Sequence, residues 1–198
     1  MTLLPRGLLH LARPGDDAVR RFIAEQAALP FSYAEIGATR GTLPKDYRIA
    51  QRRISLGRGA DAFRRAVAAV RAWKMHDIAG IELLWPTTAI APGSTAAIRA
   101  RVGPLWALNA CRVVYTIDES RRFGFGYGTL PAHAVCGEER FMVDWQEGSD
   151  EVAYEILAFS RPNGALLRAA APILRREQRR FAAASAAAML RAVGRTPA

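Results

Sequence analysis

Two strand-like segments are joined by the sequence Tyr127-Gly-Thr-Leu-Pro-Ala-His-Ala-Val-Cys-Gly-Glu-Glu-Arg-Phe141. The first segment is predicted to run from Arg122 to Leu130 and the second from Glu138 to Gln146. The connection between them is therefore about seven residues long, whereas a plain hairpin needs far fewer. This connection and the start of the second strand hold a histidine, two carboxylates and an arginine. The stretch predicts an antiparallel strand pair with a candidate functional loop.

Further strands and helices are predicted on both sides of this pair. Alternating or apolar segments bounded by turn residues predict strands at 47–56, 78–85, 95–102, 105–117, 122–130, 138–146 and 152–159. Apolar residues at helical spacing predict helices at 16–29, 60–73 and 172–193, with a short helical turn at 165–169. Hairpin-connected strands build an antiparallel sheet with one buried face. The terminal helix is long enough to cover that face.

The order of these elements resembles the helix-grip fold of the START and birch-pollen-allergen superfamily. Residues 31–193 also resemble a bacterial and plant family classed as a domain of unknown function, with matching segments at 31–40, 56–59, 108–115, 127–141 and 158–162. The resemblance implies an α+β fold in which a curved antiparallel sheet of six or seven strands wraps around the long C-terminal helix. It further implies a cavity between sheet and helix. Residues 1–30 are then an N-terminal extension with one helix, and residues 31–198 form the helix-grip domain.

The chain is strongly basic. It has 198 residues with 28 Lys and Arg against 18 Asp and Glu, a formal net charge of +10, and only Lys45 and Lys74 are lysines. A bias in coding composition explains the preference for Arg over Lys but not the excess of positive charge. The arginines clustered at 175–180 predict no more than weak contact with an anionic membrane. Nucleic acid is not predicted as a partner, and any binding to it should be non-specific and salt-sensitive.

Cysteine content and hydropathy bear on location. Two cysteines, Cys111 and Cys136, provide no disulfide framework, which predicts a reducing, cytoplasmic location. The apolar patch at 7–12 is too short and interrupted for a signal peptide. No apolar run approaches the roughly 20 residues that span a bilayer. The scattered cysteines and histidines predict no metal site, and no cofactor motif is present.

His133 is the first candidate for chemistry. Together with Glu138 or Glu139, and with Tyr127 nearby, it would act as a general acid or base. A pairing with either carboxylate is expected to raise the pKa of His133 above about 6.5. The alternative is structural, with His133 holding the loop through a backbone carbonyl or a neighbouring carboxylate.

Alternation along the strands predicts which residues face a ligand. Glu139 shares its face with Phe141, Val143 and Trp145, an apolar set predicted to be buried, whereas Glu138 and Arg140 lie on the other face. Asn109 and Arg112 fall on opposite faces of their strand, so both cannot line one cavity without a bulge. The predicted ligand-binding residues are Trp106, Asn109, Arg112, Tyr127, Phe141, Trp145 and Tyr154.

The segment at 123–128 alternates aromatic residues with glycine. One face of this strand is therefore bulky and the other bare. The bare face predicts dense packing against the C-terminal helix or, alternatively, the close approach of a ligand or partner.

Three functions fit these observations. The first is a protein that holds a hydrophobic or amphipathic small molecule between the sheet and the terminal helix. The second is an enzyme on the same scaffold that uses the region around His133 and Glu139. The third is a basic peripheral protein that contacts an anionic membrane or nucleic acid, with its cavity collapsed into an ordinary core.

Overall fold

A computed structural model of the chain describes residues 5, 7–84 and 89–195. The helices are α1 (Asp16–Ala27), α2 (Gly59–Arg71), α3 (Ala165–Ala169) and α4 (Ala171–Ala192). The strands are β1 (Leu9–His10), β2 (Arg48–Arg58), β3 (Ile81–Leu84), β4 (Thr95–Val102), β5 (Leu105–Asp118), β6 (Arg122–Thr129), β7 (Val135–Trp145) and β8 (Glu151–Pro162). The predicted helices and strands are all present, with ends that move by a few residues. Trp85, predicted to end a strand, lies outside the described residues.

The strands form one antiparallel sheet. Their order is β2-β8-β7-β6-β5-β4-β3, so each strand after α2 pairs with its neighbour in the chain, and β2 closes the far edge against β8. The chain then returns through α3 into α4, which packs against β2 and β8. This arrangement confirms the predicted α+β helix-grip fold.

The short strand β1 was not predicted. Leu9 and His10 pair with Ala107 and Trp106 of β5, whereas β6 pairs with β5 only from Cys111 onward. The strand β1 thus continues the edge that β6 leaves unpaired. Two residues carry no periodic pattern, which is why the sequence does not reveal this strand.

The inner face of the sheet, which faces α2 and α4, holds the main hydrophobic core. Its buried members come from β2, from β4 to β8, from α2 and the turn after it, and from α4, and they include Val113, Phe125, Phe141, Tyr154 and Met189. Apolar side chains alternate along the strands so that one set points inward. The core therefore sits between the curved sheet and two helices.

The outer face is also covered, contrary to the expectation of one buried face. The helix α1 packs Val19, Phe22 and Ile23 against the β4 and β5 part of the sheet. Residues 31–41, here called the outer strap, cover the β6, β7 and β8 part, where Tyr33 packs with Phe159. Both covering segments lie before β2 in the chain. Alternation within the strands therefore does not predict that the outer face is covered.

Candidate functional site

Two adjacent glutamates of β7 point to opposite faces of the sheet. Glu139 pairs across the ladder with Tyr127 of β6, and Glu138 pairs with Gly128. Side chains alternate along a strand, so Glu139 enters the inner core and Glu138 lies under the outer strap. The predicted division of the two carboxylates between faces is therefore confirmed.

On the inner face, Glu139 is bonded to Tyr127. The Tyr127 hydroxyl donates to Oε2 of Glu139 at 2.8 Å. Glu139 as a whole residue is only partly buried, but its carboxyl group is surrounded by protein. Burial raises the pKa of Glu139 to about 7, and the hydrogen bond from Tyr127 offsets part of that rise. Burial also raises the pKa of Tyr127, so its proton stays on the hydroxyl.

His76 joins this inner cluster from the turn that follows α2. Its ring lies 6.1 Å from that of Tyr127 and 5.4 Å from that of Phe141, measured between centroids. The rings of Trp73 and Phe181 enclose it from the other sides. Both ring nitrogens lack a hydrogen-bond partner among the described residues, and burial lowers the pKa of His76 to about 3. The imidazole is therefore neutral and has an unused donor and an unused acceptor.

No sequence signal singled out His76. It lies in Trp73-Lys-Met-His76, a segment that ends one helix and precedes a strand, with no chemical motif around it. The left-handed backbone of Trp73, at φ 56°, turns the chain there and leads into the turn that carries His76. Such a turn brings together residues that are far apart in the sequence, so only the fold shows the cluster.

The rest of the inner face is mostly apolar. Tyr154 of β8 and Ser185 of α4 share a hydrogen bond of 2.9 Å that joins sheet and helix. Trp145 packs on Phe63 of α2, and its Nε1 donates to Asp150. A cavity of about 10 Å³ lies beside Tyr127 and is lined by Trp73, Leu83, Ser94, Thr95, Ala96, Ile98, Cys111 and Val113.

On the outer face, Glu138 has a full set of donors from the outer strap. Its carboxylate accepts the Tyr33 hydroxyl at 2.8 Å, the Gly37 N–H at 2.6 Å and the Thr39 N–H at 3.0 Å. The Thr39 hydroxyl donates to it as well. A buried side chain with this many donors has its hydrogen-bonding capacity satisfied within the protein. Glu138 therefore anchors the strap to the sheet.

Arg140 extends this outer network. It donates to the Thr39 carbonyl at 2.7 Å and forms an ion pair with Glu155 of β8. Glu155 also accepts from the Gln51 amide at 2.9 Å. Glu138 and Arg140 of the Tyr127–Phe141 stretch therefore hold the outer strap, β7, β8 and β2 together.

The predicted pairing of His133 with a carboxylate is wrong. The strand β7 begins at Val135, earlier than predicted, so the connection is short, and Nδ1 of His133 accepts the Val135 N–H at 3.1 Å. Among the described residues, no hydrogen bond or ion pair joins His133 to Glu138 or Glu139. Burial lowers the pKa of His133 to about 4, opposite to the expected rise. The ring holds the loop, as in the structural alternative, but through the Val135 N–H and not through a backbone carbonyl or a carboxylate.

Three predicted ligand-binding residues have structural partners instead. Arg112 donates to the carbonyls of Gln26, Ala27 and Leu29, which lie at and just beyond the end of α1. Asn109 accepts the Ala134 N–H at 3.1 Å and so holds the loop near His133. Trp106 lies two and four residues before Leu108 and Ala110 and therefore shares their face of β5. Those two residues pack under α1, so Trp106 lies on the outer face, beneath the Arg13 guanidinium.

The described part of the chain contains neither a cluster of metal-binding side chains nor a helix that could span a membrane. No three His, Cys, Asp or Glu side chains within residues 7–84 and 89–195 gather closely enough to hold a metal ion. No helix in the same part of the chain is long and apolar enough to cross a bilayer.

Known proteins are similar to this chain in sequence. A family model described as a domain of unknown function, DUF1990, matches residues 32–188. A UPF0548 protein of Dictyostelium discoideum is 31% identical over 203 residues, which cover 92% of this chain and 94% of that protein. A UPF0548 protein of Deinococcus radiodurans is 35% identical over 201 residues, which cover 94% of this chain and 100% of that protein.

The fold has a counterpart among solved structures. A hypothetical protein of Helicobacter pylori aligns with a TM-score of 0.51 at 8% identity, over 82% of this chain and 95% of that one. At this identity the likeness concerns the fold alone. The match over residues 32–188 and the two relatives establish the family: the chain belongs to the DUF1990 family.

Proposed function

We propose that the protein binds a hydrophobic or amphipathic small molecule between the inner face of the sheet and α4. The polar group of the ligand would bond to Glu139 and His76, and its apolar part would lie along Phe141, Tyr154 and Trp145. The observation that supports this most strongly is the inner cluster of Tyr127, Glu139 and His76, which has unused hydrogen-bonding capacity inside an apolar core.

Such a cluster is costly unless it is used. Buried polar groups are almost always hydrogen-bonded, and each unpaired one costs roughly 1–3 kcal/mol. Glu138 shows that this fold can satisfy a buried carboxylate fully. Glu139, one residue away, accepts from the Tyr127 hydroxyl alone among the described side chains and backbone groups. Perturbed, incompletely paired groups of this kind concentrate at binding and catalytic sites.

The walls around the cluster set the class of ligand. They are aromatic and aliphatic, and burying apolar surface contributes about 25 cal/mol per Å². The cavity beside Tyr127 has a volume of about 10 Å³, room for about one water molecule, and neither Glu139, His76 nor any residue of α4 lines it. A ligand must therefore displace side chains to enter. Phe181 of α4, which is half-buried and stacks against His76, is the side chain best placed to move.

A second candidate function, an enzyme on the same scaffold, is supported by one observation. A carboxyl group with a pKa of about 7 exchanges its proton near neutral pH, as a general acid or base requires. In that case Glu139, not His133, would transfer the proton, and Tyr127 would orient the Glu139 carboxyl group.

The binding proposal can be tested with Nile red, a neutral apolar dye, and with n-octanol and n-octane as competitors. The wild type should bind the dye saturably, and both competitors should displace it. In the double variant Tyr127→Phe/Glu139→Met the dissociation constant of n-octanol should rise roughly tenfold, because a hydrogen bond to a carboxylate is lost. That of n-octane should not change.

The matched control is Tyr33→Phe. It removes the tyrosine hydrogen bond to the neighbouring glutamate, Glu138, which has the same 2.8 Å length but lies on the outer face. This variant should bind both competitors as the wild type does. An absence of saturable dye binding, or an equal loss of n-octanol binding in both variants, would contradict the proposal.

A further inference from the structure

Four aliphatic side chains are exposed at one end of the molecule. They are Leu9, Leu11, Leu166 and Ile173, and the last three are 90%, 52% and 62% exposed. They belong to two segments that meet there, because Leu8 packs with Leu167 and Leu174 in one buried cluster. Exposed aliphatic residues are ordinary when scattered, but a group of them marks an interaction surface.

Unpaired positive charge borders these side chains. Arg175, Arg176 and Arg179 are exposed on α4, and no carboxylate in the described part of the chain forms an ion pair with any of them. Ile173 and Arg176 are three residues apart, so they are neighbours on the surface of the helix. We call the four aliphatic and three basic residues together the apolar–basic end.

We propose that the apolar–basic end docks on an anionic membrane surface. The aliphatic side chains would enter the boundary between headgroups and acyl chains, and the guanidinium groups would bond to lipid phosphates. The net charge of +10 provides long-range attraction to the same surface. This docking does not depend on the inner cluster, so either proposal can fail without the other.

Nucleic acid fits the same surface less well. Single-stranded RNA and DNA are bound by aromatic side chains that stack on bases beside a basic groove. The large apolar residues exposed at this end are aliphatic, and aliphatic side chains insert into a lipid surface but do not stack on bases. The observations therefore favour a membrane.

Vesicle flotation tests the proposal with the full chain. The wild type should float with vesicles of phosphatidylcholine and phosphatidylserine and stay unbound with phosphatidylcholine alone. The variant Arg175→Gln/Arg176→Gln/Arg179→Gln should bind roughly 100-fold more weakly, from about a fivefold loss for each arginine near the surface. The variant Leu166→Ser/Ile173→Ser should lose at least about tenfold. Circular dichroism of each variant should show the same secondary structure as the wild type, which checks that the variant is folded.

The matched control carries the same loss of charge elsewhere. Arg21, Arg52 and Arg65 are exposed on α1, β2 and α2, and the variant Arg21→Gln/Arg52→Gln/Arg65→Gln should keep most of the binding. An equal loss in this control would show that only diffuse charge matters and overturn the docking site. Unchanged binding of Leu166→Ser/Ile173→Ser, or tight binding of an RNA oligomer at physiological salt, would overturn it as well.

Discussion

Glu138 and Glu139 show that burial alone does not decide what a carboxylate does. Each accepts a tyrosine hydroxyl at 2.8 Å, Tyr33 for Glu138 and Tyr127 for Glu139. Glu138 has further backbone and hydroxyl donors from the outer strap, whereas Glu139 faces aromatic rings. The number of donors separates the anchor of a loop from a candidate ligand-binding group.

Glu139 should make stability fall as pH rises. Its pKa in the folded protein, about 7, lies above the ordinary value of 4.5, so the folded state keeps a proton that the unfolded state has lost. The free energy of unfolding is then expected to fall by up to about 3 kcal/mol as pH rises through this window. Glu139→Gln removes the effect, so its stability relative to the wild type should increase by that amount between about pH 5 and 8.

Urea denaturation at several pH values measures this difference. The buried His76 and His133 are common to both proteins, so their own titration cancels. Glu138→Gln serves as a control and should destabilise by about 2–4 kcal/mol, because the donors of Gly37 and Thr39 lose a charged acceptor. Parallel curves for wild type and Glu139→Gln would show that Glu139 is ionised in the folded protein at all these values.

Alternation along β7 was enough to predict the faces of Glu139, Phe141 and Trp145. It could not predict that Glu138 is buried, because its donors come from residues about a hundred positions earlier in the chain. The position of His76 was equally hidden, since a turn brings it to the sheet. The candidate site is therefore only half visible in the sequence.

Among the elements, β6 has the most unusual sequence, because aromatic residues alternate with glycines, and the structure explains this pattern. Its aromatic residues fill the inner core, and its glycines lie on the outer face. A Cβ atom at Gly126 would be 2.5 Å from the Tyr115 ring, and one at Gly128 would be 2.2 Å from the Tyr33 hydroxyl. The bare face is therefore densely packed, as expected, but against β5 and the outer strap, not against the C-terminal helix.

Gly126→Ala should destabilise the protein by about 1–3 kcal/mol, because the Tyr115 ring must move to accommodate the new methyl group. In an open strand the same change would be neutral or stabilising, so the sign identifies the close contact. Gly148→Ala is the control, since nothing lies within 4 Å of its Cβ position. Chemical denaturation of both variants measures the effect, and equal stabilities would contradict it.

The strands from β2 to β8 could be predicted because each ends in recognisable turn residues. The bulge in β5 could not be predicted. Pairing shifts between Val113 and Tyr115, so Val113 faces the inner core while the Tyr115 hydroxyl bonds to Thr39 of the outer strap. Strict alternation would place both residues on one face.

At the scale of the whole molecule, the two faces of one sheet have different tasks. The outer face is held by α1 and the outer strap through networks of polar side chains, among them Glu138, Arg140 and Arg112, and such networks give rigidity. The inner face meets α2 and α4 through an apolar core that contains one incompletely paired cluster. The polar residues of the Tyr127–Phe141 stretch serve mainly the first task, which is why the function could not be derived from that stretch alone.

Native mass spectrometry of the purified protein tests the central claim most directly. If the inner face is a binding site, the wild type and Tyr33→Phe should carry one equivalent of a small, largely apolar molecule. The variant Tyr127→Phe/Glu139→Met should lose it wholly or in large part. A wild-type spectrum with only the mass of the chain, or an adduct that survives equally in the inner-face variant, would contradict the account.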